Sequence, residues 1–120
     1  MENKKLSQIE YAVTQLGETE RPFSHPGFPS KPGSFNCVCC SNKLFSSSEK
    51  FESGSGWPSF VCPITKDAVG TREDLSHGMK RTEVHCNKCK AHLGHVFEDG
   101  PAPSGLRFCI NGVALKFQQA

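Results

Sequence analysis

A chain of 120 residues is one domain's worth, able to bury a modest core but short enough that a bound metal or a crosslink adds materially to its stability. Its 14 basic and 12 acidic residues leave a net charge of +2, and with no run of Lys or Arg to track a phosphate backbone, nucleic acid is excluded as an expected partner. No apolar run approaches the ~18 residues of a membrane span, and Met1-Glu2-Asn3-Lys4-Lys5 leads into polar sequence rather than a signal segment, so a soluble, cytoplasmic protein is expected.

In chain order, Leu6 to Leu16 is predicted to be a helix. Ser7 and Glu10 form an S-x-x-E capping box, Leu6 and Tyr11 stand at staple positions, Ile9, Val13 and Leu16 make an apolar stripe, and Gly17 is the stop. Glu18 to Gly33 carries Pro22, Pro26, Pro29 and Pro32 and reads as an irregular arm wrapping the domain. Residues 1–33 are thus expected to be a helix and arm, and residues 34–120 the β domain. From Ser34 onward, short segments rich in Phe, Val and Thr alternate with Gly, Pro, Ser and Asn clusters. Candidate strands are Ser59 to Val61, Ala68 to Arg72, Arg81 to His85, His92 to Phe97, Leu106 to Asn111 and Ala114 to Phe117. The fold is expected to be mainly β.

Seven cysteines is an odd number, which cannot pair completely as disulfides. Cys37 with Cys40 and Cys86 with Cys89 form two C-x-x-C pairs, each able to aim two thiolates at one point. Two such turns complete a tetrahedral shell, so one structural zinc ion per chain is expected, tying two distant loops together with no open position for water. Two disulfides, or a redox C-x-x-C pair, are the alternatives. Cys39, between the ligands, is expected to be a small packed residue.

The segment Leu106-Arg107-Phe108-Cys109-Ile110-Asn111 carries the chemistry. As a strand it puts Arg107, Cys109 and Asn111 on one face and Leu106, Phe108 and Ile110 on the other. One thiol, flanked by a cation and an amide, then stands opposite a core-facing apolar row. Cys109 reads either as a nucleophile, activated if Arg107 turns its head group inward, or as an inert buried cysteine. His92 and His95, three apart, fall on opposite faces of a regular strand unless Gly94 marks a bulge. His95 shares its face with Leu93 and Phe97, which suggests an aromatic-walled pocket with one titratable group suited to proton transfer. Each histidine alone fits a packed or metal-bound role equally well.

Gly56-Trp57-Pro58-Ser59-Phe60, Arg81-Thr82-Glu83-Val84, His92-Leu93-Gly94-His95-Val96-Phe97, Asp99-Gly100-Pro101 and Arg107-Phe108-Cys109-Ile110-Asn111, with the paired C-x-x-C turns, resemble the methionine-R-sulfoxide reductase B family. The likeness runs from about Gly33 to Phe117, with a weaker trace at Thr19-Glu20-Arg21-Pro22-Phe23. It implies a small antiparallel β-sheet, barrel-like domain of the β-tent type, with a four-cysteine zinc knot. It also implies reduction of methionine-R-sulfoxide in oxidised proteins or peptides. The Cys109 thiolate attacks the sulfoxide sulfur, His95 is the acid, and Asn111 helps to hold the oxygen or a water. Trp57 would face the cation-like sulfur and pack the methyl group. His92, Phe97, Asp99 and Arg107 would orient the pocket.

Methionine leaves and Cys109 remains as a sulfenic acid. Many family members carry a resolving cysteine in the loop before G-W-P-S-F, where this chain has Ser55. Cys62, Cys39, or direct reduction by thioredoxin or another thiol are the remaining routes. A monomeric enzyme of protein repair under oxidative stress is the expectation. The competing reading is a non-enzymatic zinc-ribbon-like module that binds a protein, with Cys109 merely packed.

Overall fold

The computed structural model describes residues 6–21, 27–28, 30–75, 78–102 and 104–120. Its elements are a helix, α1 (Gln8–Leu16), and nine strands: β1 (Gly33–Cys37), β2 (Lys43–Ser46), β3 (Lys50–Phe51), β4 (Ser59–Phe60), β5 (Val69–Asp74), β6 (Arg81–Cys86), β7 (His92–Phe97), β8 (Arg107–Ile110) and β9 (Leu115–Gln119). The strands form two antiparallel sheets, one ordered β2-β1-β9 and the other β3-β4-β8-β7-β6-β5. Among the described residues the chain is mainly β with one short α-helix, as the sequence indicates.

The helix forms where its caps place it. Ser7 Oγ accepts from the Glu10 amide at 3.2 Å, Glu10 Oε1 accepts from the Ser7 amide at 2.9 Å, and Gly17 closes the last turn at φ 74°. The buried face differs from the expected stripe. Val13 and Thr14 are buried, whereas Ile9 and Leu16 are 47% and 62% exposed. The helix lies on β7 and the Gly112–Ala114 turn through its Glu10, Val13 and Thr14 side. Thr14 can be buried because its hydroxyl donates to the Glu10 carbonyl at 2.7 Å.

All six expected strands are present, His92 to Phe97 with the expected bounds and the other five with one or both ends shifted by a residue or two. Strands β1, β2 and β3 are additions. In β1, Ser34, Phe35, Asn36 and Cys37 are all buried, so the polar positions of its short alternation mark no exposed face. Its polar side chains are satisfied locally, with Ser34 Oγ donating to Asn36 Oδ1 at 2.9 Å and Asn36 Nδ2 to Gln118 Oε1 at 2.8 Å. The core between the sheets is aromatic: Phe45 stacks on Phe60 at 4.3 Å, and Phe35 meets Phe60 edge-on at 5.2 Å. Of the expected arm, Pro22, Pro26 and Pro29 lie outside the described residues.

Candidate active site and metal-binding cluster

One row across the larger sheet assembles the candidate chemistry. Cross-strand pairs run Ser59 to Cys109, Cys109 to His95, His95 to Glu83 and Glu83 to Arg72. Directly opposed residues of an antiparallel sheet share a face, so these five side chains stand on the side away from the core. Phe108 and Ile110 pack into the core instead, giving the two-faced strand expected for residues 106–111.

The histidine question is resolved by a bulge. Val84 pairs with Gly94 but His85 pairs with His92, which leaves Leu93 as an extra residue on β7. The side-chain alternation skips one step there, so Leu93 joins the core and the rings of His92 and His95 meet edge-on at 5.5 Å. Gly94 is required at this point because a Cβ would stand 2.1 Å from the Cys109 carbonyl oxygen. Each imidazole is held by a carboxylate. His92 Nδ1 donates to Glu83 Oε2 at 2.6 Å, and His95 Nε2 donates to Asp74 Oδ2 at 2.7 Å. Arg72 pairs with the other Glu83 oxygen. Asp74 escaped the sequence reading because nothing in a lone aspartate marks its contact with a histidine 21 residues away.

Thr19, Trp57, Arg81, Gly94, His95, Phe97, Cys109 and Asn111 line a pocket of about 70 Å³. Cys109 is 9% exposed. Trp57 is fixed by the segment after α1, its Nε1 donating to the Glu20 carbonyl at 2.9 Å. The Glu20 amide donates to Asn111 Oδ1 at 2.9 Å, and Asn111 Nδ2 donates to the Leu93 carbonyl at 2.9 Å. Glu20 is therefore a bracket for the pocket, absent from the sequence reading except as part of the weak trace.

Arg107 forks onto Asp99, Nε to Oδ1 at 2.9 Å and Nη2 to Oδ2 at 3.1 Å, and its guanidinium sits 4.6 Å over the Phe97 ring. The Arg107 contact holds the Asp99 carboxyl below its usual range. Burial pushes the Cys109 thiol up, and the opposing pull of the Ser55 hydroxyl, Arg107 and Ser59 does not overcome it. Arg107 draws the thiol down, as its place on the strand suggested, but by less than burial raises it. Burial likewise pushes His95 below its ordinary value, with Asp74 opposing and Arg81 assisting.

The residue against the Cys109 sulfur is Ser55, Oγ to Sγ 3.7 Å. Ser53 Oγ links Ser55 Oγ at 2.8 Å to Ser59 Oγ at 2.7 Å, so three hydroxyls border this side of the thiol. Cys62 points elsewhere: its Sγ donates to Glu49 Oε1 at 3.4 Å, and burial followed by that carboxylate pushes its thiol up. Cys39 Sγ accepts from Gln15 Nε2 at 3.4 Å, beside α1.

Cys37, Cys40, Cys86 and Cys89 converge, their sulfurs all within 4.8 Å of one another. The two turns repeat one geometry. The Ser41 amide donates to the Cys37 carbonyl at 2.9 Å and the Lys90 amide to the Cys86 carbonyl at 2.8 Å, with Ser41 and Lys90 at φ 67° and 68°. Sulfur separations of 3.6 Å for Cys37–Cys89 and Cys40–Cys86 compare with the edge of about 3.8 Å in a tetrahedron of thiolates about 2.3 Å from a zinc ion. Contact with Cys37 draws the Cys86 thiol down to about 4, while burial is the main cause that pushes Cys89 up to about 12. Four sulfurs so crowded fit around a metal ion, and the cluster joins β1 and β2 of one sheet to β6 and β7 of the other.

Residues 6–119 match the SelR domain. A protein of Thioalkalivibrio sulfidiphilus named peptide methionine sulfoxide reductase MsrB is 52% identical over 118 residues, 98% of this chain and 86% of the relative. A protein of the same name from Pseudomonas savastanoi pv. phaseolicola is 55% identical over 111 residues, 92% and 85% of the two chains, and one from Pseudomonas aeruginosa strain UCBPP-PA14 is 50% identical over 114, 94% and 86%. With the SelR domain matched over residues 6–119 and relatives of this name about half identical over nearly the whole chain, the chain belongs to the SelR, or MsrB, family.

Proposed function

We infer that this chain reduces methionine-R-sulfoxide, mainly within peptides or proteins, to methionine. The observation that carries the reading is the meeting of Cys109, Trp57 and His95 in one pocket of about 70 Å³ within a chain of this family. A water needs roughly 10–15 Å³ of such space, so the pocket suits a methylsulfinyl group, with the rest of a peptide left outside.

Cys109 gives its proton to His95 as its sulfur attacks the sulfoxide sulfur, and His95 passes that same proton on to the oxygen. Oxygen passes from the methionine sulfur to Cys109, giving methionine and a sulfenic acid in a two-electron step. Two equivalents of an external thiol, thioredoxin or a similar dithiol, then return Cys109 to the thiol, with one disulfide and one water as products. Direct reduction is favoured because Ser55 occupies the place beside Cys109, while Cys62 and Cys39 make their contacts elsewhere. Trp57 packs the methyl group and faces the cation-like sulfur, and Phe97 with Arg107 and Asp99 forms the outer wall. Asn111 fixes Glu20 and the bulge, and His92, braced by Glu83, supports the His95 ring.

Zinc, bound by Cys37, Cys40, Cys86 and Cys89, would stabilise the scaffold and take no part in oxygen transfer. The proposal includes a monomer working in the cytoplasm; among the described residues no helix is long and apolar enough to cross a membrane. Incubation with dithiothreitol and each epimer of a sulfoxide peptide tests the activity. Loss of the R epimer alone is expected, and inertness toward both in a folded, zinc-loaded sample contradicts it.

A further inference from the structure

His95 is asked to take a proton from Cys109 and hand it on, and its two ring nitrogens are not equally free to do so. Nε2 lies 2.7 Å from Asp74 Oδ2. A carboxyl at neutral pH is ionised and can only accept, so on this side of the ring the proton sits on Nε2. No hydrogen bond from a described residue reaches Nδ1. Openness then separates the two histidines of the bulge. His92 Nε2, also unbonded, is shut off from solvent, whereas His95 Nδ1 is not, and His95 lines the pocket beside its cross-strand partner Cys109.

We propose that Asp74 is the positioning residue of His95: by holding the proton-bearing Nε2 it leaves Nδ1 bare, to take the Cys109 proton and pass it to the sulfoxide oxygen. The proposal rests on the reductase reading and names the nitrogen that carries the proton and the residue that assigns it. The count balances. Cys109 Sγ gives up its proton as it attacks, Nδ1 holds that proton while both ring nitrogens are protonated, and the oxygen receives it, so that it ends on the sulfenic acid. Asp74 acts at two moments. Before the transfer it fixes the ring and its tautomer, and during it a negative charge stands against the imidazolium.

Register explains why this task falls to a residue on the outermost strand. The carboxylate directly opposite His95 is Glu83, but that group is taken by His92 and Arg72. Asp74 ends β5, pairs with Arg81 of β6, and has its Oδ2 3.6 Å from Arg81 Nη2, which holds the carboxylate in place. The charged and titratable groups facing His95 are therefore Asp74 from β5, Arg81 and Glu83 from β6, His92 from β7 and Cys109 from β8. Burial lowers the His95 pKa with help from Arg81 and His92, and Asp74 opposes that fall.

The test compares Asp74→Asn and Asp74→Ala with the unsubstituted chain, by kcat/KM for an R-sulfoxide peptide across pH and by nitrogen NMR of the histidine rings. In the unsubstituted chain, neutral His95 is expected to carry its proton on Nε2. Asp74→Asn keeps the shape and removes the charge, and kcat/KM at its optimum is expected to fall about tenfold or more. Its acid limb, where His95 gains the proton that blocks it, should move to lower pH, and Asp74→Ala should lose at least as much. Neutral His95 protonated on Nδ1, a kcat/KM for Asp74→Asn within about twofold, or a fall with the acid limb unmoved overturns the assignment. The ring measurement on the unsubstituted chain carries the test should either variant not fold. A chain that turns over neither epimer removes the reductase reading and this proposal with it. A chain that reduces the R epimer with neutral His95 protonated on Nδ1 removes only the role of Asp74.

Discussion

Ser55 Oγ lies 3.7 Å from Cys109 Sγ, in the loop that leads into Trp57. A hydroxyl cannot close a disulfide on a sulfenic acid, yet it is placed where a thiol would. Ser55→Cys should therefore convert the regeneration route. After one turnover without reductant, the substituted chain is expected to lose two hydrogens and yield a crosslinked peptide pair containing positions 55 and 109. The unsubstituted chain is expected to keep an oxidised monothiol. A Cys62 to Cys109 crosslink in the unsubstituted protein would refute direct reduction.

Glu83 gives the stability a defined response to acid. Burial raises its carboxyl, but Arg72 and His92 outweigh that cost and hold it below the ordinary glutamate value. A carboxylate so depressed contributes stability that is complete above its unfolded pKa and is lost as pH falls through the lowered folded value. Urea midpoints should therefore decline on acidification below about pH 4, and Glu83→Gln should flatten that decline while lowering the midpoint at neutrality. Parallel curves for the two proteins would show that Glu83 is not the group responsible.

The Cys109 thiol titrates in the other direction. Its raised pKa means that alkylation by iodoacetamide should still be climbing with pH beyond the ordinary thiol value near 8.5. A plateau already reached at neutral pH would mean a resting thiolate, against the burial described here.

Gly94→Ala probes the bulge. The added methyl would meet the Cys109 carbonyl oxygen at 2.1 Å and Ile110 Cα at 2.9 Å, both backbone atoms that can retreat only by parting β7 from β8. A loss of about 1–3 kcal/mol in chemical denaturation is expected, with a disproportionate loss of activity because His95 and Cys109 are cross-strand partners. Unchanged stability would mean that the strands separate without cost.

Metal analysis of the purified protein should find one zinc per chain. Cys86→Ser, or a strong chelator, is expected to lower the melting temperature by more than about 10 °C, because the cluster is the tie between the two sheets. A protein equally stable without metal would leave the four sulfurs with no structural task.

Much of this was legible in the chain. The capping box at Ser7 and Glu10, the paired C-x-x-C turns, and the alternation from Leu106 to Asn111 are local patterns, and each specifies its geometry within a few residues. What escaped was decided between segments. The stripe of Ile9 and Leu16 is exposed because the angle of α1 on β7 is set by residues more than 70 positions away. Strands β1 to β3 hide in serine-rich sequence whose polar groups find partners only in the folded sheet. Asp74, Glu20 and Arg81 owe their places at the pocket to register, which an isolated acid or base does not advertise.

Transfer of the sulfoxide oxygen to one named sulfur is the centre of this account, and a single turnover without reductant measures it. Mixed with an R-sulfoxide peptide, the protein should release one methionine peptide per chain and become heavier by one oxygen atom, carried on the peptide that contains Cys109. The S epimer should leave it unchanged, and Cys109→Ser should bind zinc yet take up no oxygen. Methionine released by the Cys109→Ser protein, or oxygen appearing first on Cys62 or Cys39, would contradict the account.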